Sequence, residues 1–118
     1  APTFLSACGI DIPMDKTGVN LMPLFKGETE SARDCAIVEN RHQPTTIHAK
    51  TYVDQRYKMI VYYNRDYGEI FDLLEDPEEF NNLWDDPSKK DLKCELYRRF
   101  LNAELGKEPL SMPRIWGA

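Results

Sequence analysis

Between Thr46 and Val53 apolar and polar side chains alternate, with Ile47, Ala49, Thr51 and Val53 on one parity and His48, Lys50 and Tyr52 on the other. A period of two marks a half-buried strand. Arg56 to Asn64 repeats the pattern, Met59, Val61 and Tyr63 alternating against Lys58, Ile60 and Tyr62. Cys35-Ala36-Ile37-Val38-Glu39-Asn40 before them and Glu69-Ile70-Phe71-Asp72-Leu73 after them are rich in β-formers, and Asn64 to Gly68 supplies turn residues. Four short strands joined by short turns predict an antiparallel meander over residues 35–74.

The period then changes. Asp76-Pro77-Glu78-Glu79 offers an N-cap, a proline for the first helical position and a glutamate for a capping box, which predicts a short helix. Asp86-Pro87 starts another. From Ser88 to Leu105 a polar face of Asp91, Glu95, Arg98, Arg99 and Asn102 opposes Leu92, Leu96, Phe100, Leu101 and Leu105, so this helix is expected to lie across one face of the sheet. Residues 76–106 are thus read as helical, and 107–118, with two prolines and no periodicity, as an irregular tail. The first 30 residues are loop-rich: a short helix over Ala1–Cys8 stopped by Gly9, an extended Ile10–Pro13, and an apolar run Leu21–Phe25 long enough for a turn or two. The class is α+β, a four-stranded antiparallel sheet with a C-terminal helix on one face.

Composition narrows the functions open to such a fold. The 118 residues suit a single domain. With 15 Lys and Arg against 20 Asp and Glu, and no basic cluster longer than Lys89-Lys90, the chain offers nothing to a nucleic acid. No run of about 18 apolar residues exists to cross a membrane, and the opening residues lack the basic and apolar regions of a signal peptide. Cys8, Cys35 and Cys94 lie far apart, with no paired spacing and no histidine at a zinc-ligand distance, so they are expected to behave as small hydrophobes.

Several blocks carry a family likeness. Phe71-Asp72-Leu73, Asp76-Pro77, Glu79 and Asn82-Leu83 follow the order Tyr/Phe-Asp-Leu, then Asp-Pro-x-Glu-x-x-Asn-Leu. Ala1-Pro2-Thr3-Phe4-Leu5 with Gly9, Leu21-Met22-Pro23-Leu24-Phe25-Lys26-Gly27 and Arg56-Tyr57-Lys58-Met59-Ile60 precede them in the same order. Together they resemble the C-terminal part of sulfatases of the alkaline phosphatase superfamily. Most of these blocks also have purely structural work: Asp76 to Glu79 cap, Asn82 satisfies backbone groups, and Phe71, Leu73 and Trp84 anchor a core.

The resemblance implies a parent that hydrolyses sulfate esters with a formylglycine, made within Cys/Ser-x-Pro-x-Arg, and a calcium ion. No cysteine here is followed by that motif, and Ser111-Met112-Pro113-Arg114 places its arginine one position early. No catalytic residue and no metal or cofactor site is therefore expected in this chain. Its expected partner is a catalytic domain preceding Ala1, against which Phe4, Leu5, Leu21, Leu24 and Phe25 would pack; uncovered, they would drive self-association. The parent's substrate would be a sulfated carbohydrate or an aryl sulfate, in a periplasmic, extracellular or lysosomal setting. A contribution to the substrate pocket could come from Arg41, His42, His48 and Lys50. Arg41-His42 falls in a polar loop from Glu39 to Thr46, and His48 and Lys50 could equally be the solvated face of a strand. A free carbohydrate-binding or protein-interaction module and a related phosphodiesterase or phosphonate hydrolase remain as alternatives.

Overall fold

The computed structural model describes residues 1–13, 18–42 and 46–107. They fall into two compact units, Ala1–Arg33 with the residues from Leu105 onward, and Asp34–Glu104.

The first unit holds two short helices, α1 (Pro2–Ala7) and α2 (Met22–Phe25), each with a proline in its first turn. Gly9 at φ 68° ends α1, letting Ile10 N–H reach the Leu5 carbonyl at 2.9 Å; an L side chain would strain that left-handed position. The Thr3 hydroxyl fastens the segment before α2 by accepting from Leu21 N–H at 3.0 Å. Phe4 and Phe25 remain exposed.

The second unit is the predicted meander. Strands β1 (Cys35–His42), β2 (Ile47–Asp54), β3 (Tyr57–Tyr62) and β4 (Gly68–Asp72) form one antiparallel sheet in sequence order. Pairing runs from Cys35 opposite Asp54 to His42 opposite Ile47, so β1 continues through the two residues expected in a loop. The β2–β3 turn is closed by Asp54, whose Oδ1 accepts from the backbone N–H of Arg56 at 2.9 Å and Tyr57 at 2.7 Å. A three-residue 3-10 turn, Pro87–Lys89, capped by Asp86, leads into α3 (Lys90–Leu105).

Ile37, Tyr52, Met59 and Ile70 are consecutive cross-strand partners and make one row over the sheet. Leu96 and Phe100 of α3 and Trp84 join Tyr52, Met59 and Ile70 in a single buried cluster, with Leu92 and Ala103 packed at its margin. Met59, Ile70 and Leu96 are fully buried. Each contributes about 1.5–3 kcal/mol. Leu101 and Leu105, read as part of the apolar stripe, point to solvent instead. The stripe is narrower than the sequence suggests because Leu92, Leu96, Phe100 and Ala103 already complete one helical face.

The helix expected from Asp76 is replaced by a turn. Both Asp76 carboxylate oxygens accept backbone N–H groups, from Phe80 at 3.1 Å and Asn81 at 2.7 Å. Glu79 sits at φ 60° and sends its carboxylate to Lys58 rather than back to Asp76. A helix cannot propagate through a left-handed residue, so the capping chemistry stabilises a loop. Beyond it, Asn82 works as a substitute strand. Its Oδ1 accepts from Ile70 and Trp84 N–H, each at 3.0 Å, and its Nδ2 donates to the Gly68 carbonyl at 3.1 Å. With Leu83 N–H donating to the Ile70 carbonyl at 2.8 Å, the outer edge of β4 is closed.

Candidate functional site

Two of the four residues singled out from sequence, His48 and Lys50, line a groove of about 360 Å³ between the sheet and α3. Val61 and Tyr63 line it from β3 and the turn after it, Tyr97, Phe100, Leu101 and Glu104 from α3. The strand register explains the grouping. Arg41 pairs with His48 and Glu39 with Lys50, while Lys50 pairs in turn with Val61. Cross-strand partners share a face, so Arg41, His48 and Lys50 all lie on the side that carries α3.

His48 and Lys50 are both half-buried there. The Lys50 ammonium stands 2.8 Å from Glu104 Oε2 and 3.3 Å from Glu39 Oε1. Its pKa is raised chiefly by the hydrogen bond to Glu104, with burial pulling the other way. Two carboxylates therefore already balance its charge, which makes Lys50 a brace between β1, β2 and α3. The His48 ring packs against Tyr63 with centroids 5.4 Å apart, and its carbonyl accepts Tyr63 N–H at 2.8 Å. Arg41 is exposed, leaving its guanidinium accessible for the forked grip such groups make on anions. His42 ends β1 opposite Ile47.

Glu39, Tyr63, Tyr97 and Glu104 escaped the sequence reading. The Lys50–Glu104 bridge joins positions 54 residues apart, and no local pattern announces such a contact. A second polar knot ties the same elements. Asp54 Oδ2 accepts from the Tyr52 hydroxyl at 3.0 Å and from Arg99 at 3.2 Å. Burial opposes the charge of Asp54, but hydrogen bonds from Tyr57, Arg56, Tyr52 and Arg99 outweigh it and hold the carboxyl below its usual range. The same burial, with the bond to Asp54, pushes the Tyr52 phenol up to about 12.

The groove offers apolar and aromatic contact rather than a nucleophile. Among the described residues no three His, Cys, Asp or Glu side chains gather as metal ligands. The acidic stretch from Asp72 to Asp86 does not fit calcium either. Asp72 is held by Arg56 at 2.8 Å, Asp76 by backbone N–H groups, Glu79 by Lys58 and Asp86 by Ser88. No helix among the described residues is long and apolar enough to cross a membrane.

Comparison with known proteins follows the same lines. Residues 1–105 match the family described as N-sulphoglucosamine sulphohydrolase, C-terminal. An N-acetylglucosamine-6-O-sulfatase of Bacteroides thetaiotaomicron is 32% identical over 91 residues, which cover 71% of this chain and 16% of that protein. A Delta 4,5-hexuronate-2-O-sulfatase of the same organism is 29% identical over 97 residues, covering 80% of this chain and 20% of that one. A solved structure in complex with its substrate D-glucosamine-2-N,6-O-disulfate superposes with a TM-score of 0.78 at 26% identity, over 90% of this chain and 23% of that one. The chain thus spans about a fifth of the length of the curated relatives it matches.

Proposed function

The chain belongs to the N-sulphoglucosamine sulphohydrolase C-terminal family, and we propose that it closes and supports a sulfate-ester hydrolase acting on sulfated sugars. The family match from residue 1 to residue 105, with sulfatases as its relatives, carries the reading. The relatives' sulfated amino-sugar and uronate substrates make a sulfated carbohydrate the substrate class for the whole protein. Formylglycine and calcium would belong to the remaining four fifths, since the donor set here suits neither.

Within that enzyme this chain's role is mostly mechanical. A sheet braced by α3, the Lys50–Glu104 bridge and the Asp54 knot presents a fixed surface, and the Arg41 end of β1 is its best candidate for contacting substrate. Lys50 drops out of that role because its charge is balanced, and His48 supports Arg41 from the neighbouring strand. The test uses the polypeptide extended upstream to include its catalytic portion, assayed on sulfated glucosamine. Loss of one charged hydrogen bond in Arg41→Ala should lower kcat/KM roughly ten- to a hundred-fold, with His42→Ala as the parallel probe. If both folded variants keep parental kcat/KM, this piece gives support alone. If the extended protein hydrolyses no sulfate ester, the activity itself is wrong.

A further inference from the structure

We propose that the groove between the sheet and α3 is a binding site of this chain for a sugar ring bearing an anionic substituent, with Arg41 at its rim taking the anion. The sugar class rests on the reading above. The groove volume, about 360 Å³, falls within the roughly 300–1,000 Å³ of small-molecule sites. Nine residues line it, whereas a stable protein interface takes about 20–30 from each side, so its size suits a small ligand rather than a partner chain.

The walls are set before any ligand arrives. Tyr63 is 75% exposed, its ring held against His48. Tyr97 on α3 is braced edge-on by Trp84 with centroids 6.0 Å apart, and Leu101 beside it is exposed. The Lys50–Glu104 bridge ties β2 to α3 along the groove and fixes its width. Aromatic rings with an apolar face and a wet edge suit the C–H faces of a pyranose, and rings already fixed lose little freedom on binding. The Tyr63 and Tyr97 hydroxyls and the His48 ring supply hydrogen-bonding groups for sugar hydroxyls. Arg41, His48 and Tyr63 form a row across the sheet, since Arg41 pairs with His48 and the His48 carbonyl accepts Tyr63 N–H. At a strand spacing of about 4.8 Å the row spans roughly 10 Å, room for a ring on Tyr63 and a substituent reaching the forked donors of Arg41. An inorganic anion alone would leave the apolar walls uncovered, and a neutral apolar ligand would leave Arg41 unused.

An amide-resolved NMR titration of this 118-residue chain with the 6-sulfate of methyl N-acetylglucosaminide tests the assignment without depending on activity. Saturable shifts are expected at His48, Val61 and Leu101, with the unsulfated glycoside binding about tenfold more weakly. Arg41→Ala should erase that difference. Tyr63→Ala removes a wall and Leu101→Trp fills the groove, and each should weaken binding about tenfold with circular dichroism unchanged. Tyr67→Ala, at an exposed tyrosine outside the groove, should leave binding as it was. The absence of saturation up to roughly 20 mM would overturn the proposal. So would shifts confined to other residues, or equal binding of hexyl sulfate, which carries the anion and no ring. Groove shifts that grow with protein concentration in the absence of sugar would assign the groove to a second copy and overturn it too. Hydrolysis of sulfated glucosamine by the polypeptide extended through its catalytic portion, with no sugar bound here, would remove the groove and leave the activity. Saturable binding without hydrolysis would keep the groove and remove the activity.

Discussion

The Trp84 indole lies directly against Gly68, so closely that a Cβ at position 68 would overlap the ring and stand 2.6 Å from the Ile60 carbonyl oxygen. This glycine is fixed by what leans on it. Lys93 holds the indole from another side, its ammonium 3.7 Å from the ring centroid and 3.0 Å from the Trp84 carbonyl oxygen. Replacing Gly68 with alanine must move either the buried indole or the strand pairing. We expect Gly68→Ala to destabilise the unit by about 1–3 kcal/mol, read as a lower denaturant midpoint. An unchanged midpoint would mean that Trp84 has room to shift.

Asn82 makes three hydrogen bonds to backbone groups of β4 and its own loop, and a leucine of similar size makes none. Asn82→Leu should cost about 1–3 kcal/mol through groups left unpaired. Asn82→Asp, which keeps the acceptor and loses the donor to Gly68, should fall between the two. Hydrogen exchange at the Ile70 amide is the local readout and should quicken in Asn82→Leu.

Titration bounds the stability on both sides of neutrality. Asp54 and Asp72 are held below the usual carboxylate range, Asp72 first by its bond to Arg56, and Glu95 is lowered to about 2 by Arg98 and Arg99. A depressed carboxylate contributes stability above its unfolded pKa and loses it as pH falls through the folded one. Stability should therefore decline below about pH 4. At the alkaline end Tyr52 and Tyr62 are raised to about 12 from 10.0, Tyr52 chiefly by burial and Tyr62 chiefly by its bond to Glu69. A raised phenol contributes stability below its unfolded pKa and loses it on the way up to the folded one, so unfolding should set in above pH 10. Tyrosinate absorbance against pH should show three late-titrating phenols, Tyr97 being raised by burial as well, and Tyr52→Phe should remove one of them.

Phe4 is 78% and Phe25 69% exposed in the N-terminal unit. Two bare phenylalanines favour association of this chain in solution. Sedimentation should report a weight-average mass that rises with concentration, and Phe4→Ser with Phe25→Ser should flatten that rise. A monomer at all concentrations would show that these rings are tolerated in water.

Periodicity made the sheet legible, because alternation at Ile47–Val53 and Met59–Tyr63 is a property of neighbouring residues. It could not say which parity meets the helix. His48, Lys50 and Tyr52 look like the wetter side, yet Tyr52 packs on Phe100 with ring centroids 6.0 Å apart. The decision came from α3, whose Arg99 and Glu104 satisfy Asp54 and Lys50 at a distance in sequence. The Asp76 turn was misread for a related reason. Its capping residues were correctly identified as backbone acceptors, but the left-handed Glu79 that turns them from helix to loop is chosen by Lys58 on β3. Trp84 as anchor and Asn82 as a satisfier of backbone groups were legible from residue type, although Asn82 reaches back 12 residues to Ile70 and 14 to Gly68, which no local pattern shows.

The amide of Asn82 also sets the valence of the sheet. Together with Leu83 it seals the outer edge of β4, so that margin offers no backbone groups to an added strand. Removing the Asn82 side chain would reopen it and turn a closed margin into one at which copies can join.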